Sequence, residues 1–267
     1  MDFGRLREAL ATVVGAYLPI PGELHHFWNT SLLGPLSASL PLALAMIFLF
    51  SLALSRSRPA LLFYVSATGA VLLFSYVKYE GYARHHGNLF LILIAALWLA
   101  DEAALSSAQG RLGRACLIPI LTVQTAVGLF SFSMDFLYPF SAAKETADFL
   151  RGHKELPRLL AGDEDYAVST VAGYLDRAIY YPRQDRMGTY IVWNRARRFV
   201  RLRKVLGRAR AFGDRAHTDV LLILDRPMSP RLVSETGIQV NLVKSFQNSI
   251  VHDEAFYLYR LHSPSPG

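Results

Sequence analysis

The sequence contains a single cysteine and very few charges in its first half. Cys116 has no partner for a disulfide within the chain, and it lies inside an apolar run. Residues 1–139 carry 8 Lys and Arg and 7 Asp and Glu, whereas residues 140–267 carry 20 and 14. Hydrophobic residues make up 52% of the chain, and in the first half they form long uninterrupted runs that the core of a soluble protein does not need. We therefore predict a membrane-embedded first half and a basic, water-soluble second half.

Motifs of soluble enzymes are missing as well. The sequence has no GxGxxG, P-loop, GxSxG or HExxH pattern, so soluble nucleotide binding and hydrolase chemistry have no support. The adjacent histidines at 25–26 and 85–86 have no HxxxH spacing or carboxylate partner beside them, so no metal site is predicted. No cofactor is predicted either.

Four apolar segments approach the roughly 20 residues that a helix needs to cross the hydrocarbon core of a bilayer. Asp101 and Glu102 interrupt the third segment and are expected at the membrane edge, and Pro119 lies in the fourth. The predicted fold class is therefore a membrane α-helical bundle of about four transmembrane helices, followed by a soluble α/β domain with a mixed sheet. The spans are expected at residues 36–55, 59–77, 88–105 and 115–137.

The basic residues of the short loops predict the orientation. The loops around 56–58 and 111–114 hold four arginines, whereas the loop at 78–87 holds Lys78 and Arg84. Because basic loops stay in the cytoplasm, this bias predicts a multi-pass protein of the inner (cytoplasmic) membrane with its C-terminal domain outside the cytoplasm. The predicted domains are an interfacial N-terminal segment (1–35), the transmembrane domain (36–139), the α/β domain (140–262) and a disordered tail (263–267).

In the second half, segments with the hydrophobic periodicity of a helix alternate with segments that have the pattern of a strand, which favours an α/β sheet. The last two strands can pair as a hairpin, which makes the sheet mixed. Helices are predicted at 142–152, 166–175, 195–212 and 231–236, and strands at 159–161, 178–181, 189–193, 220–224, 238–246 and 255–261.

The loop KYEGYARHHGN, residues 78–88, is the main candidate binding site. Cations, imidazoles and glycines at a membrane surface suit a lipid-linked phosphate, because guanidinium and imidazole groups donate hydrogen bonds to phosphate oxygens. The predicted phosphate-binding residues are Lys78, Arg84, His85 and His86. Alternatively, these residues only anchor helix ends at the interface. The segment 21–29 is expected on the same side of the membrane, with Phe27 and Trp28 in an aromatic belt.

Two further charged segments have more than one interpretation. Residues 195–215 hold nine basic residues and one acid, with Phe199, Leu202, Leu206 and Ala209 on one face of the predicted helix. That helix either covers the sheet or lies on anionic lipid headgroups. Nucleic acid is not expected as a partner, since no reader motif is present. The carboxylates at 163–165 follow a predicted strand and are explained by capping of the next helix, with catalysis as the alternative.

Three stretches resemble bacterial polytopic glycosyltransferases of the GT-C type, the dolichyl-phosphate-mannose and aminoarabinose transferase group. They are EGYARHHGNLFLILIAALWLA (80–100), SAAKETADFLR (141–151), and YLDRAIYYP with GTYIVWN within 174–194. The resemblance covers about residues 76–194 and implies transfer of a sugar from a polyprenyl-phosphate donor, with basic residues such as Arg84 at the donor phosphate.

Such enzymes also use an acidic residue in the first extracytoplasmic loop, and that loop is not found here. The chain is therefore expected to be a C-terminal portion of a glycosyltransferase, with membrane lipid and a polyprenyl-phosphate-linked sugar as partners and with its catalytic residue unknown. The alternative is a non-enzymatic membrane-anchored module whose α/β domain binds a partner or an envelope polymer.

Overall fold

The computed structural model describes residues 2–34, 39–79, 81–193 and 200–263 of the 267-residue chain. It consists of two compact units, Met1–Met134 and Asp135–Gly267. We call them the helical unit and the α/β unit. Each has its own buried core, as a domain requires.

The helical unit contains no strand in its described residues, which agrees with the predicted helical first half. Its helices are α1 (Phe3–Tyr17), α2 (Ser39–Ala53), α3 (Arg58–Val77), α4 (Ala83–Leu99), α5 (Glu102–Ser106) and α6 (Ala108–Leu137).

Helix α1 packs within the helical unit. The Asp2 carboxylate caps its first turn by accepting hydrogen bonds from two backbone N–H groups. Val13, Val14 and Tyr17 at its other end are fully buried against α2, α3 and α4. The Tyr17 and Tyr64 hydroxyls are 2.9 Å apart, which ties α1 to α3. The interfacial position predicted for residues 1–35 stays a prediction.

Two helices of the described chain, α3 with 20 residues and α6 with 30, are long and apolar enough to cross a membrane. Helices α2 and α4 are apolar but have only 15 and 17 residues, so the predicted set of four spans is not supported. The predicted third segment breaks because Ala100 has an extended backbone and the Asp101 carboxylate caps the separate helix α5. Helix α6, in contrast, continues through Pro119.

The α/β unit alternates helices and strands as predicted. Its elements are α7 (Ala143–Gly152), β1 (Leu159–Gly162), α8 (Asp165–Leu175), β2 (Ile179–Tyr181), β3 (Arg186–Gly188), α9 (Leu202–Ala216), β4 (Val220–Leu224), α10 (Pro230–Thr236), β5 (Val240–Phe246), a 3₁₀ turn (His252–Glu254) and β6 (Phe256–Leu261).

The six strands form one mixed sheet in the order β3-β2-β1-β4-β6-β5. Strand β1 is parallel to both β2 and β4, while the remaining neighbours are antiparallel. The predicted mixed sheet and the pairing of its last two strands are confirmed.

Helices cover both faces of this sheet. Leu221 and Ile223 of β4 lie in the cluster that includes α7 and α8, whereas the alternate residue Leu222 lies in the cluster that includes α9. Since successive strand side chains point to opposite faces, the unit has three layers. Strand β4 is therefore buried on both sides, which explains its uniformly apolar sequence VLLIL.

Two predicted elements are wrong in detail. The second strand of the first hairpin is β3, inside the predicted turn 182–188, because Asp185 adopts a left-handed backbone (φ 54°) and closes the hairpin early. Helix α9 begins at Leu202 and ends at Ala216 rather than at 212, but its predicted apolar stripe is confirmed in the described residues: Leu206 and Ala209 are buried, and Leu202 packs against the same core. Phe199 and the beginning of the predicted helix lie outside the described residues, as does the predicted tail apart from Ser263.

Candidate functional site

The predicted phosphate-binding residues lie where α3 ends and α4 begins. Lys78 follows the last turn of α3, and Arg84, His85 and His86 occupy the first turns of α4. Gly81 makes the connection with a left-handed backbone (φ 87°), which glycine adopts without strain. Glu80 lies outside the described residues.

His85 is held by the backbone that precedes it. The Tyr82 N–H donates to His85 Nδ1 over 3.0 Å. Nδ1 must therefore be an acceptor, and the neutral ring carries its proton on Nε2. The ring also makes an edge contact with Tyr79, whose centroid is 5.5 Å away. His85 thus presents Nε2–H as its hydrogen-bond donor.

Asn29 brings the segment 21–29 to this site, and the membrane side predicted for the segment stays a prediction. Its Oδ1 accepts a hydrogen bond of 2.7 Å from the Ala83 N–H, the first amide of α4. Asn29 reaches this position through a left-handed backbone (φ 59°), which asparagine tolerates better than most residues. Asn29 was not predicted from the sequence as a residue of this site.

A cavity of about 320 Å³ lies between α3 and α4. Ala70, Val71 and Phe74 form an apolar part of its wall, and His85, His86 and Asn88 supply polar groups. Neither Lys78 nor Arg84 lines the cavity; the Arg84 guanidinium instead sits 5.6 Å from the centre of the Tyr82 ring. The structure therefore brings two of the four predicted residues to one cavity, and their role in binding phosphate stays a prediction.

A second polar site lies in the α/β unit, at the carboxyl ends of β1 and β4. From β1 the chain runs through α8 to β2 on one side, then returns through α9 to β4 on the other side. Such a reversal opens a crevice between the two strand ends, and open α/β sheets commonly bind ligands there. Asp163 and Glu164 follow β1, and Asp225 and Arg226 follow β4. We call these four residues together with Arg183 the charge cluster.

Arg183 and Asp163 form the buried centre of the charge cluster. The Arg183 guanidinium donates to both Asp163 oxygens, over 2.7 and 3.0 Å, and also to the Val200 carbonyl at 2.8 Å. Its Nη2 is 2.8 Å from Glu164 Oε1. Both side chains of the Arg183–Asp163 pair are almost fully shielded from solvent. This network explains Asp163 better than the predicted helix cap: Glu164 is the N-cap residue, and its side chain makes no capping bond.

The outer part of the cluster is more open. Arg226 is half exposed, and its Nη2 is 3.6 Å from Asp163 and 3.5 Å from Glu164. Burial raises the pKa of Asp225 despite the nearby Arg226 charge, and burial likewise raises the pKa of Glu164 despite Arg183. The Tyr166 hydroxyl lies 3.5 Å from Asp225 Oδ2. These groups can donate and accept hydrogen bonds toward a ligand rich in hydroxyl groups.

Arg183, Asp225 and Arg226 were not predicted from the sequence. Asp225 could have been found from its position after the apolar run VLLIL, because carboxyl ends of neighbouring parallel strands meet at one edge. Arg183 gives no such signal, since its contact with Asp163 depends on strand pairing. Within the described residues no group of three or more His, Cys, Asp or Glu side chains could hold a metal ion.

The basic helix α9 covers the sheet, as one of the two interpretations predicted. Val205, Leu206 and Ala209 are buried against it. Arg208 also turns inward, and its Nη1 donates to the Pro182 carbonyl at 2.7 Å. This arginine supports the β2–β3 turn and is not part of an outward basic face.

Comparison of the chain with family models, curated proteins and solved structures finds no match. The likeness to GT-C glycosyltransferases therefore depends on the sequence motifs alone.

Proposed function

We propose that this protein is a glycosyltransferase-like integral membrane protein that binds a polyprenyl-phosphate-linked sugar in the cavity between α3 and α4. The observation that carries the proposal is the composition of the cavity wall. A polyprenyl phosphate has an apolar chain and an anionic head, and the cavity offers Val71 and Phe74 to the one and His85 to the other. The Nε2–H of His85 is the donor for a phosphate oxygen.

Membrane insertion is supported by the outward-facing side chains of the helical unit. Phe132 and Phe136 of α6 are 71% and 82% exposed, and Trp98 of α4 is 85% exposed. Apolar surface in water costs about 25 cal/mol per Å², so this surface is stable in lipid and unfavourable in water. A core helix of a soluble protein can be equally long and apolar, but its side chains would be buried. Most residues in the apolar stretches of α3 and α6 are not buried.

We propose that α2 and α4 enter the bilayer together with α3 and α6. At about 1.5 Å per residue, helices of 15 and 17 residues extend roughly 23 and 26 Å, slightly less than the hydrocarbon core of about 30 Å. Local thinning of the bilayer and flanking aromatic residues accommodate such a difference at modest cost. The α/β unit then lies outside the cytoplasm.

The cations near the cavity act at longer range in this proposal. Lys78 and Arg84 add positive charge at the end of the helices without lining the cavity. Charges at such a position increase the local concentration of an anionic ligand and speed its binding. The catalytic residue for sugar transfer is not assigned.

Binding of farnesyl phosphate, a short isoprenoid phosphate, tests the proposal in the purified full-length protein. Farnesol, which lacks the phosphate, is the reference ligand. The His85→Asn variant keeps an acceptor for the Tyr82 N–H but removes the Nε2–H donor. We expect it to weaken farnesyl phosphate binding about tenfold or more, with little change for farnesol, since hydrogen bonds to charged groups contribute about 1.5–3 kcal/mol.

Arg84→Ala should weaken the same binding, and His217→Asn in the α/β unit and Arg56→Ala are the matched controls that do not line the cavity. Equal affinity of His85→Asn, Arg84→Ala and the wild type for farnesyl phosphate would remove the phosphate site. Sugar transfer itself is followed as release of labelled sugar from a polyprenyl-phosphate-linked donor in membranes that contain the chain.

The second candidate function is a non-enzymatic membrane-anchored module, and the charge cluster favours it. Its position at the chain reversal of the sheet, where the half-exposed Arg226 pairs with Asp225, suits recognition of a hydroxyl-rich polymer. Binding of envelope polysaccharide that is lost in Arg226→Ala, without any sugar transfer by the wild type, would support this function over the first.

A further inference from the structure

The α/β unit has a third polar site, which the proposed function does not use. A cavity of about 240 Å³ lies at the amino end of β1, the opposite end of this strand from the charge cluster. The last turn of α7, the connection to β1 and the last turn of α8 surround it. Its basic residues are Arg151, His153, Lys154, Arg158 and Arg177, and we call them the basic pocket.

Apolar side chains form the remaining wall of this pocket. Leu160 is 4% exposed and belongs to the core of the α/β unit, and Leu150 and Leu175 pack against the same core. The cationic groups therefore stand at the rim of a rigid, apolar depression. All five basic side chains line this one depression and are exposed, so a ligand can reach them from solvent.

Two of the arginines are anchored by the fold. Arg151 Nη1 lies 2.9 Å from Asp148 Oδ1, and its Nη2 donates to the Tyr174 carbonyl near the end of α8. Arg177 Nη2 donates to the Arg158 carbonyl just before β1. The Tyr174 carbonyl lies at a helix end, where it has no intrahelical partner, and the Arg158 carbonyl lies in the connection to β1, so both contacts have a structural explanation. They also fix two guanidinium groups in place, each with N–H donors remaining.

The other basic groups lack such an explanation. In the described part of the chain, the Lys154 ammonium and the Arg158 guanidinium have no hydrogen-bond or ion-pair partner. No carboxylate lines the pocket among the described residues, and the nearest acids by sequence are Asp148, Glu155 and Asp176. Asp148 is already shared between Lys144 and Arg151.

We infer that the basic pocket binds a phosphate group. The three arginines and the lysine of the basic pocket are permanently charged and repel one another. A phosphate that bridges two or more of them reduces this repulsion and accepts charge-assisted hydrogen bonds from them. Guanidinium groups present the fork geometry that matches phosphate oxygens. The apolar wall contacts the organic part of the ligand. The phosphate itself belongs either to a lipid headgroup or to a soluble phosphate ester.

The test uses the purified full-length protein with inorganic pyrophosphate as the soluble probe. Lys154→Gln/Arg158→Gln removes the two cations without a structural partner, so the fold should be retained. Arg203→Gln/Lys204→Gln changes charge equally at exposed positions that do not line the pocket. By calorimetric titration we expect pyrophosphate to bind the pocket variant about tenfold more weakly than the wild type, and the control variant within about twofold of it.

Hydrogen exchange identifies the source of the phosphate. Protection of residues 151–158 by pyrophosphate in phosphatidylcholine nanodiscs indicates a soluble ligand. Protection that requires phosphatidylglycerol in the nanodisc indicates a lipid headgroup, and both results support the pocket. If neither probe protects this segment, or if the pocket variant binds pyrophosphate like its control, the inference is wrong. Neither result depends on farnesyl phosphate binding in the helical unit.

Discussion

The Arg183 guanidinium contacts both carboxylate oxygens of Asp163, 20 residues earlier in the chain, with Nε 2.7 Å from Oδ1 and Nη2 3.0 Å from Oδ2. This bidentate pair connects the end of β1 to the turn after β2. Both groups are buried, so each depends on the other for its charge to be tolerated.

Loss of Arg183 should therefore destabilise the α/β unit strongly. We expect Arg183→Ala to lower its free energy of unfolding by about 3–5 kcal/mol, since Asp163 would remain as an uncompensated buried charge. Chemical denaturation of the full-length protein, followed through the sheet signal, measures the change. Arg226→Ala, which removes a half-exposed partner of the same carboxylate, should cost less than about 1 kcal/mol. Similar losses in the two variants would contradict the assigned roles.

Glu254 should make the stability of the α/β unit depend on pH near neutrality. Burial raises the pKa of this carboxyl from 4.5 to about 7, against the hydrogen bond donated by Ser141 and with a contribution from Asp253. The folded state therefore binds the proton more tightly than the unfolded state. Stability should fall as pH rises from about 4.5 to about 7 and lose this dependence outside that window.

The Glu254→Gln variant provides the measurement for this prediction. Glutamine can still accept the Ser141 hydrogen bond but carries no charge at any pH. The difference in unfolding free energy between variant and wild type should grow in favour of the variant between pH 4.5 and 7. A difference that stays constant over that range would show that Glu254 titrates normally.

Alanine substitutions of the two glycines Gly81 and Gly87 in the segment 78–88 should separate effects on the cavity from effects on helix stability. Gly81 has φ 87°, and a Cβ there would lie 3.3 Å from His86 Nε2, so Gly81→Ala should cost about 1–2 kcal/mol and weaken farnesyl phosphate binding. Gly87, within α4, would place a Cβ in open space, and Gly87→Ala should stabilise by up to about 1 kcal/mol. Thermal unfolding measures the change in stability, and titration with farnesyl phosphate measures the change in affinity. Equal behaviour of the two alanine variants would contradict the cavity geometry.

Reporter fusions should show the orientation of the chain. With α2, α3, α4 and α6 in the bilayer and the α/β unit outside the cytoplasm, alkaline phosphatase fused after Gly267 should be active. A fluorescent protein that folds only in the cytosol should stay dark at the same position. The protein should also remain with the membrane through an alkaline wash. Cytosolic fluorescence, or recovery without detergent, would overturn the proposed topology.

Local sequence signals predicted the elements better than their ends. The apolar runs specify helices in the first half, yet the third predicted segment is cut because Asp101 can cap a new helix as well as mark a membrane edge. In the α/β unit, strand β4 was readable from VLLIL, since an uninterrupted apolar run fits a strand buried on both faces. The end of the first hairpin was not readable, because it depends on the left-handed backbone of Asp185.

The candidate sites depended more on tertiary structure. His85 and His86 were recognised by residue type and position, whereas Asn29 reaches the same helix end from 54 residues earlier. The charge cluster and the basic pocket collect residues from elements that are separated along the chain. No periodicity encodes such contacts, since they follow from strand order.

By itself, the sequence determined that an apolar helical half precedes a basic α/β half, because hydrophobic period and charge distribution act over a few neighbouring residues. Only the tertiary structure decided which side chains meet, such as Arg183 with Asp163 and Arg177 with the Arg158 carbonyl. The reason is physical. A helix or strand forms from local propensity and burial, whereas the order of the strands decides which charged side chains become neighbours. Two buried charges are stable only when they neutralise each other.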